Sequence, residues 1–422
     1  MTTLDEDLED AAGVAGHGSG PVHPGLRRAR AWLSRAVEPG TIDLWRYVDD
    51  HGPVEAVRRL RDGRAPTTVR SLIGARADQD ATLADLQRAE RCGARLLVPE
   101  DDEWPHLPLS ALTRAVAAEP AERQHQSKRT QALVPPLALW LRGPGRLDEL
   151  ADRSVAVVGA RAATAYGEHV AAELGHQLGE RGWAVVSGGA FGIDGAAHRG
   201  ALAAQAPTVA VLSCGVDRPY PAAHGALFDR IAATGLLLSE WPPGSAPLRH
   251  RFLVRNRLIA ALTRGTVVVE AAARSGALAT ARRAQELDRP VLVVPGPVTS
   301  ALSVGCHELL REAELGARLV TSAAHVLEEV GRIGDDLADP APRHTTPRDG
   351  LSDLAARVLD ACPVRTGVSP DRLAAVAGCD VLEVLRVLPA LELADLVQWT
   401  GTGWRLAPQP GARPATGSGA AP

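Results

Sequence analysis

Between Trp241 and Gln285 the chain places eight arginines (Arg249, Arg251, Arg255, Arg257, Arg264, Arg274, Arg282 and Arg283) against one carboxylate, Glu270. The whole chain carries a formal charge of −4. Positive charge is therefore segregated, and a segregated cationic surface is suited to a polyanion. Guanidinium groups fork onto phosphate oxygens in a geometry that ammonium groups lack. On a helix, Arg251 and Arg255 lie four residues apart on one face, with Arg257 on another side. Asn256 stands between the last two arginines, and Leu258, Ile259 and Leu262 are placed to face a sheet.

Three more segments have the same strand–turn–helix grammar. Val155 to Val158 is an apolar strand that ends in Gly159 and Arg161. In an open α/β sheet, ligands lie outside the carboxyl ends of the strands, so Arg161 is expected at the ligand edge; a solvated surface arginine is the plainer alternative. Gly159 and Gly167 do not make the GxGxxG spacing of a dinucleotide turn. Ser187-Gly188-Gly189 and Gly192 form a second turn, whose glycines let backbone N–H groups converge on an anion. Asp194 stands where a carboxylate caps a helix, and His198 lies one turn further along the same face. Either the pair shapes a site, or Asp194 only caps and His198 only packs. The third turn is Ser275-Gly276 at a helix start, which offers free N–H groups, a dipole and a hydroxyl to an anion. Glu270, at the preceding strand end, reads as a general base or, preferably, as an arginine partner that orients the site. Cys306 has no base at a readable spacing and is expected to be inert.

These turns need a frame. Apolar runs at 155–158, 184–187, 208–212, 236–239, 266–270, 291–294 and 318–320 alternate with helix-compatible stretches. Continuous apolar strands are buried on both faces, and the alternation predicts an extended Rossmann-like, doubly wound, mostly parallel sheet. Residues 1–20 are acidic and glycine-rich and are expected to be disordered. Residues 21–105 read as a small helical domain, 106–350 as the sheet domain (core 150–320) with 111–131 as an insertion and 332–350 as a linker. Residues 351–408 read as three helices and a hairpin, a winged-helix pattern, and 409–422 as a loose tail. Pro389 falls inside the third of those helices and is expected to kink or shorten it.

Composition narrows the function classes. Lys128 is the sole lysine; arginine in place of lysine throughout is read most plainly as a genome-wide codon bias, so the placement of the arginines is informative and their abundance is not. Five scattered cysteines without a CxxC pair indicate neither a zinc site nor a disulfide framework, which suits a reducing cytosol. No apolar run reaches the roughly 18 residues of a membrane span. Neither metal nor cofactor is expected, and the location is expected to be cytoplasmic.

Laid out in order, these residues closely resemble the DprA/Smf family of DNA processing proteins. The likeness runs through VGAR (158–161), SGGAFGIDGAAHRGAL (187–202), Tyr220-Pro221, SEWPPG (239–244), RFLVRNRLIA (251–260), VVVEAAARSGALATA (267–281) and VPGPV (294–298). The resemblance implies a non-enzymatic, dimeric binder of single-stranded DNA that protects incoming strands and loads the RecA recombinase in natural transformation and recombination. It implies a sterile-alpha-motif-like N-terminal domain and a winged-helix C-terminal one. Arg161, Arg255 and Arg257 would line the DNA groove, and Gly192, Asp194, Ser275 and Gly276 would shape it. Phe191 stands where some relatives carry a basic residue, which offers a ring for base stacking in place of a phosphate contact. The competing class is a nucleotide-cleaving, phosphoribohydrolase-like enzyme. Its PGGxGTxxE loop puts glutamate after the glycines, whereas Glu270 precedes Ser275-Gly276 here.

Overall fold

A computed structural model describes residues 4–11, 22–73, 80–118, 133–332, 336 and 348–408. Two compact units divide the chain, Met1–Asp339 and Pro340–Pro422.

The first unit is built on a nine-stranded sheet: β1 (Ala94–Leu97), β2 (Leu139–Arg142), β3 (Ser154–Val158), β4 (Ala184–Ser187), β5 (Thr208–Val211), β6 (Leu236–Ser239), β7 (Thr266–Val268), β8 (Val291–Val293) and β9 (Arg318–Leu319). Their spatial order is β1-β2-β6-β5-β4-β3-β7-β8-β9. The run from β6 to β9 is parallel, and β2 and β1 add antiparallel strands at one edge. Strand order reverses between β3 and β7, which makes the crevice above their carboxyl ends the expected ligand position. Alternate strand residues feed separate cores: Ala156, Val158 and Val268 on one face, Val155, Val157 and Val267 on the other. Both faces are covered, which is why the strands read as unbroken apolar runs.

The N-terminal helices close on a core of their own around Trp32, Leu33, Leu44, Val57 and Leu60. They also share a core with β2, β5 and β6 through Leu26, Ala31, Trp140, Ala210 and Leu237. β1 thus belongs to the sheet and not to a separate helical domain ending at 105. Two further corrections concern helices. Leu4–Asp10, within the stretch expected to be disordered, is a helix whose Leu4 and Leu8 are buried against Trp32 and Leu33. Two leucines four apart among acids are too short a pattern to read as periodic, yet one buried stripe suffices. Likewise His106–Ala117 is helical, with Leu109, Leu112 and Val116 buried, so the expected insertion cannot begin at 111. The remainder of that insertion, residues 119–131, lies outside the described residues, as do 12–21 and 409–422.

The second unit consists of helices Asp353–Ala361, Pro370–Ala377 and Val381–Leu393 followed by the hairpin β10 (Val397–Trp399) and β11 (Trp404–Leu406). Its core holds Val358, Leu359, Leu373, Val384, Leu388 and Leu391. The third helix runs through Pro389 without ending there, contrary to the expected shortening. Asp380 and Glu383 form a reciprocal capping box at its start.

Candidate nucleic-acid interface

Because β3 to β8 are parallel, the loops after them converge on one rim. The Arg249–Leu262 helix leads into β7, so it runs against the strands and begins at that same rim. The expected motifs therefore do share one edge. What they do there differs from the expectation residue by residue.

Arg257 is fully buried. Its guanidinium donates to Glu240 through two bonds of 2.6 and 2.7 Å and to the Val134 carbonyl at 2.6 Å. Arg255 is buried as well, donating to the carbonyls of Gly188 (3.1 Å) and Val211. Burial brings its pKa down to about 10, against the opposing pull of Asp194. Arg251 is buried against Glu38 (Nε to Oε2, 3.0 Å), and its guanidinium lies over the Trp241 ring at 5.4 Å. Burial raises Glu38, but bonds from Arg251 and Trp241 outweigh it and hold the carboxyl below its usual range. Arg264 pairs with Asp152 and Arg283 with Glu286. Four of the eight arginines in the block are thus paired with carboxylates, all of which lie outside the 241–285 segment. Arg251, Arg255 and Arg257 are buried with their guanidinium groups on partners inside the protein, so they do not stand on the exposed face of the rim.

The 187–192 turn is also occupied, by the chain itself. Asp194 does not cap its own helix, whose N-cap is Gly192. Its buried carboxylate turns back to accept from the N–H groups of Gly188 (3.1 Å) and Ala190 (3.4 Å). Burial pushes its pKa up, with Arg255 opposing. The anion that these glycines were expected to admit is thus Asp194. Their smallness serves close packing: a Cβ on Gly188 would strike the Arg255 guanidinium, and one on Gly189 the Phe228 ring. Gly192, at φ +69°, leaves no room for a Cβ beside the Ala160 carbonyl, and Gly159 is pressed against Ile193. Ser187 is buried and donates to the Val157 carbonyl at 2.6 Å.

His198 does not reach the edge. It is fully buried beside Thr208 (Nδ1 to Oγ1, 2.8 Å), and burial depresses its pKa to about 3. Among the described residues Glu270 pairs with no arginine; it accepts from Thr164 N (2.9 Å) and Oγ1 (2.6 Å), fixing the start of the Ala165–Glu180 helix. Asn256 bridges Arg255 to the Gly276 carbonyl (3.4 Å). Ser275 caps its helix by accepting from Ala277 N (3.3 Å), and Gly276 is exposed with open space where a Cβ would stand. The Cys306 thiol is buried and pushed up to about 11 by that burial, so it is a poor nucleophile.

What remains on the rim is cationic and aromatic. Arg161, Arg218, Arg249 and Arg274 are exposed and have no carboxylate partner among the described residues. The Arg161 guanidinium sits 5.1 Å from the Phe252 ring, whose centroid is 6.1 Å from that of Tyr220. Phe191, 47% exposed, meets His224 edge to face at 4.8 Å, and His224 is held by the Gly189 carbonyl at 3.0 Å. Tyr166 is exposed alongside, its hydroxyl on the Pro295 carbonyl at 2.8 Å. Phe252, Tyr220, Tyr166 and His224 were missed as site residues. Their rarity was the signal: the chain has three Phe and three Tyr, and four of those six stand on this rim.

Comparison with known proteins agrees with the resemblance. The family model described as DNA recombination-mediator protein A matches residues 96–331. A Mycobacterium tuberculosis protein bearing the DprA name is 49% identical over 395 residues, 93% of this chain and 97% of its own length. DNA processing protein DprA of Streptococcus pneumoniae is 46% identical over 185 residues, 44% of this chain and 64% of that protein. The X-ray structure of that Streptococcus protein superposes with a TM-score of 0.56 at 32% identity, covering 72% of this chain and 96% of that one.

Proposed function

The chain belongs to the DNA recombination-mediator protein A family, and from that premise we propose that it binds single-stranded DNA along the carboxyl rim of its sheet. One observation carries the reading. Unpaired cations and aromatic rings stand together there, Arg161 over half-buried Phe252 beside exposed Tyr220, and exposed Phe191 against half-buried His224. Rings can stack only with bases that are free to splay, so this surface suits a single strand and not a duplex. Arg161, Arg218, Arg249 and Arg274 hold phosphates; the open Gly276 lets a phosphate approach the helix N-terminus. The strand keeps its covalent bonds. Glu270, which follows the switch-point strand β7, is committed to Thr164 and not free to serve as a base.

In this reading the protein works in the cytoplasm as a homodimer and delivers RecA to strands taken up in transformation or exposed in recombination. The N-terminal helices are its sterile-alpha-motif-like region and the C-terminal unit its winged-helix domain. No helix among the described residues is long and apolar enough to cross a membrane. The deciding experiment is a gel-shift titration of single against double strands. It is paired with RecA filament formation on strands coated by single-strand-binding protein. Preference for the single strand, and filaments that depend on the protein, are expected; equal affinity for both DNA forms would overturn the reading.

A further inference from the structure

One exposed cation near the rim belongs neither to the 241–285 segment nor to the glycine turns. Arg199 lies on the helix Ile193–Ala203, four residues after Gly195 and on the same face. Helical side chains lean toward the N-terminus, and here the lean carries the guanidinium back toward the rim. A Cβ on Gly195 would stand 3.2 Å from Arg199 Nη1 and 2.8 Å from His224 Cε1. The two side chains therefore meet over Gly195, and His224 in turn holds the Phe191 ring edge to face. The acids around Arg199 are spent elsewhere or face away. Its own helix has one, Asp194, which is buried on the amides of Gly188 and Ala190. The helix Gly225–Thr234 has one, Asp229, which pairs with Arg142. The helix Ala165–Glu180 has three, but its Ala172 and Gly175 press on Gly200 and Ala197, roughly 100–160° around from Arg199. Among the described residues no carboxylate pairs with Arg199.

The two faces of the sheet give this position its meaning. Arg161 meets Phe252 on the helix Arg249–Leu262, whose Leu258 and Ile259 cover the face formed by Ala156, Val158 and Val186. The helix of Arg199 covers the opposite face, packing Ala196, Ala197 and Ala201 on Val155, Val157 and Val185. The helix after His224 covers that opposite face as well, through Phe228 and Ile231 on Ala210 and Leu237. Each face of the sheet thus has a ring and a free cation at its edge, Phe252 with Arg161 on one and Phe191 with Arg199 on the other. We propose that a single strand crosses the sheet edge from one face to the other, and that Arg199 takes a backbone phosphate on the far side while Phe191 takes the neighbouring base. This rests on the single-strand reading above and extends the site beyond the rim loops.

The test titrates the full-length chain with labelled deoxythymidine oligomers of decreasing length, read by anisotropy. Arg199→Ala alters an exposed side chain and should leave the melting temperature unchanged. With long oligomers it should weaken binding several-fold and reduce the salt slope by about 0.7, one phosphate's share. Arg199→Lys keeps the charge and should keep most of the affinity. Short oligomers settle where cations are most numerous, on the rim. Arg199→Ala should therefore be silent with them, whereas Arg161→Ala should be impaired at every length. Parent-like binding by Arg199→Ala at every length overturns this inference alone. So does an equal deficit at every length, which a general loss of positive field would produce. Failure of the parent to bind any single strand overturns the proposed function and this inference with it.

Discussion

At the scale of single residues, arginines that look alike in the sequence divide into two populations with opposite consequences. Arg161 is exposed over an aromatic ring, whereas Arg257 is sealed against Glu240. Arg161→Ala should leave thermal unfolding unchanged, weaken single-strand binding, and reduce the salt slope by about 0.7, one phosphate's share on a single strand. Arg257→Ala should instead cost about 3–5 kcal/mol in a urea unfolding curve, because it strands the Glu240 carboxylate in the interior. If Arg257→Ala unfolds like the parent and loses only DNA binding, the assignment of roles is inverted. The sequence could not make this division. The acids that quench the arginines are Glu240, one residue before the cationic segment, Glu286, one residue after it, and Glu38 and Asp152, which only folding brings near. His198 is a second case. Burial lowers its folded pKa to about 3, below the ordinary value near 6.5. The unfolded chain therefore takes up a proton as pH drops through about 6.5 while the folded chain does not. Stability from this residue is complete above that pH and is lost on acidification, by about 1.4 kcal/mol per unit. Between pH 6.5 and 5 the parent should lose about 2 kcal/mol more than His198→Gln, whose side chain cannot titrate. Parallel urea curves for the two proteins across that range would contradict it.

At the scale of elements, the glycine turns separate into those that let loops pack on one another and one that faces outward. Gly192 combines a left-handed backbone with contact to the Ala160 carbonyl, so Gly192→Ala should destabilise the fold, by more than about 1 kcal/mol, and distort the turn that presents Phe191. Gly276 opens a helix with no neighbour within 4 Å of a Cβ. Gly276→Ala should thus leave the melting temperature unchanged or slightly raised, yet weaken single-strand binding several-fold if a phosphate approaches that backbone. Unchanged affinity in a gel shift would remove Gly276 from the interface. Much of the element frame was legible, because strands buried on both faces read as apolar runs and β-then-α order leaves few arrangements. Less legible were elements whose partners are remote. Leu4–Asp10 exists because Leu4 and Leu8 meet Trp32 and Leu33, and β1 joins the sheet through β2, some 40 residues later. The motif order located the rim, but its glycines suggested an anion without revealing that Asp194 already occupies the place.

At the scale of the whole molecule, a chain of net charge −4 must bind a polyanion through a local field, and the strength of that field is set by how many cations are unquenched. Reading all eight arginines of the 241–285 segment as phosphate ligands predicts that log affinity falls with log salt at a slope of about −5.6, from roughly −0.7 per contact. The folded rim offers Arg161, Arg218, Arg249 and Arg274, which predicts a slope of only about −3. The missing affinity must then come from a salt-independent source, and stacking on Phe191, Phe252 and Tyr220 is the one the geometry provides, at about 1–3 kcal/mol per base. The two contributions separate in one experiment. Titrations of a deoxythymidine oligomer and of an abasic strand of equal length, across a range of salt, should give similar slopes, since the phosphates are the same. The abasic strand should bind at least about tenfold more weakly at every salt concentration, and Phe191→Ala with Phe252→Ala should erase most of that gap. A steep slope with no penalty for losing the bases would mean that phosphates carry the binding after all, through cations now held in ion pairs.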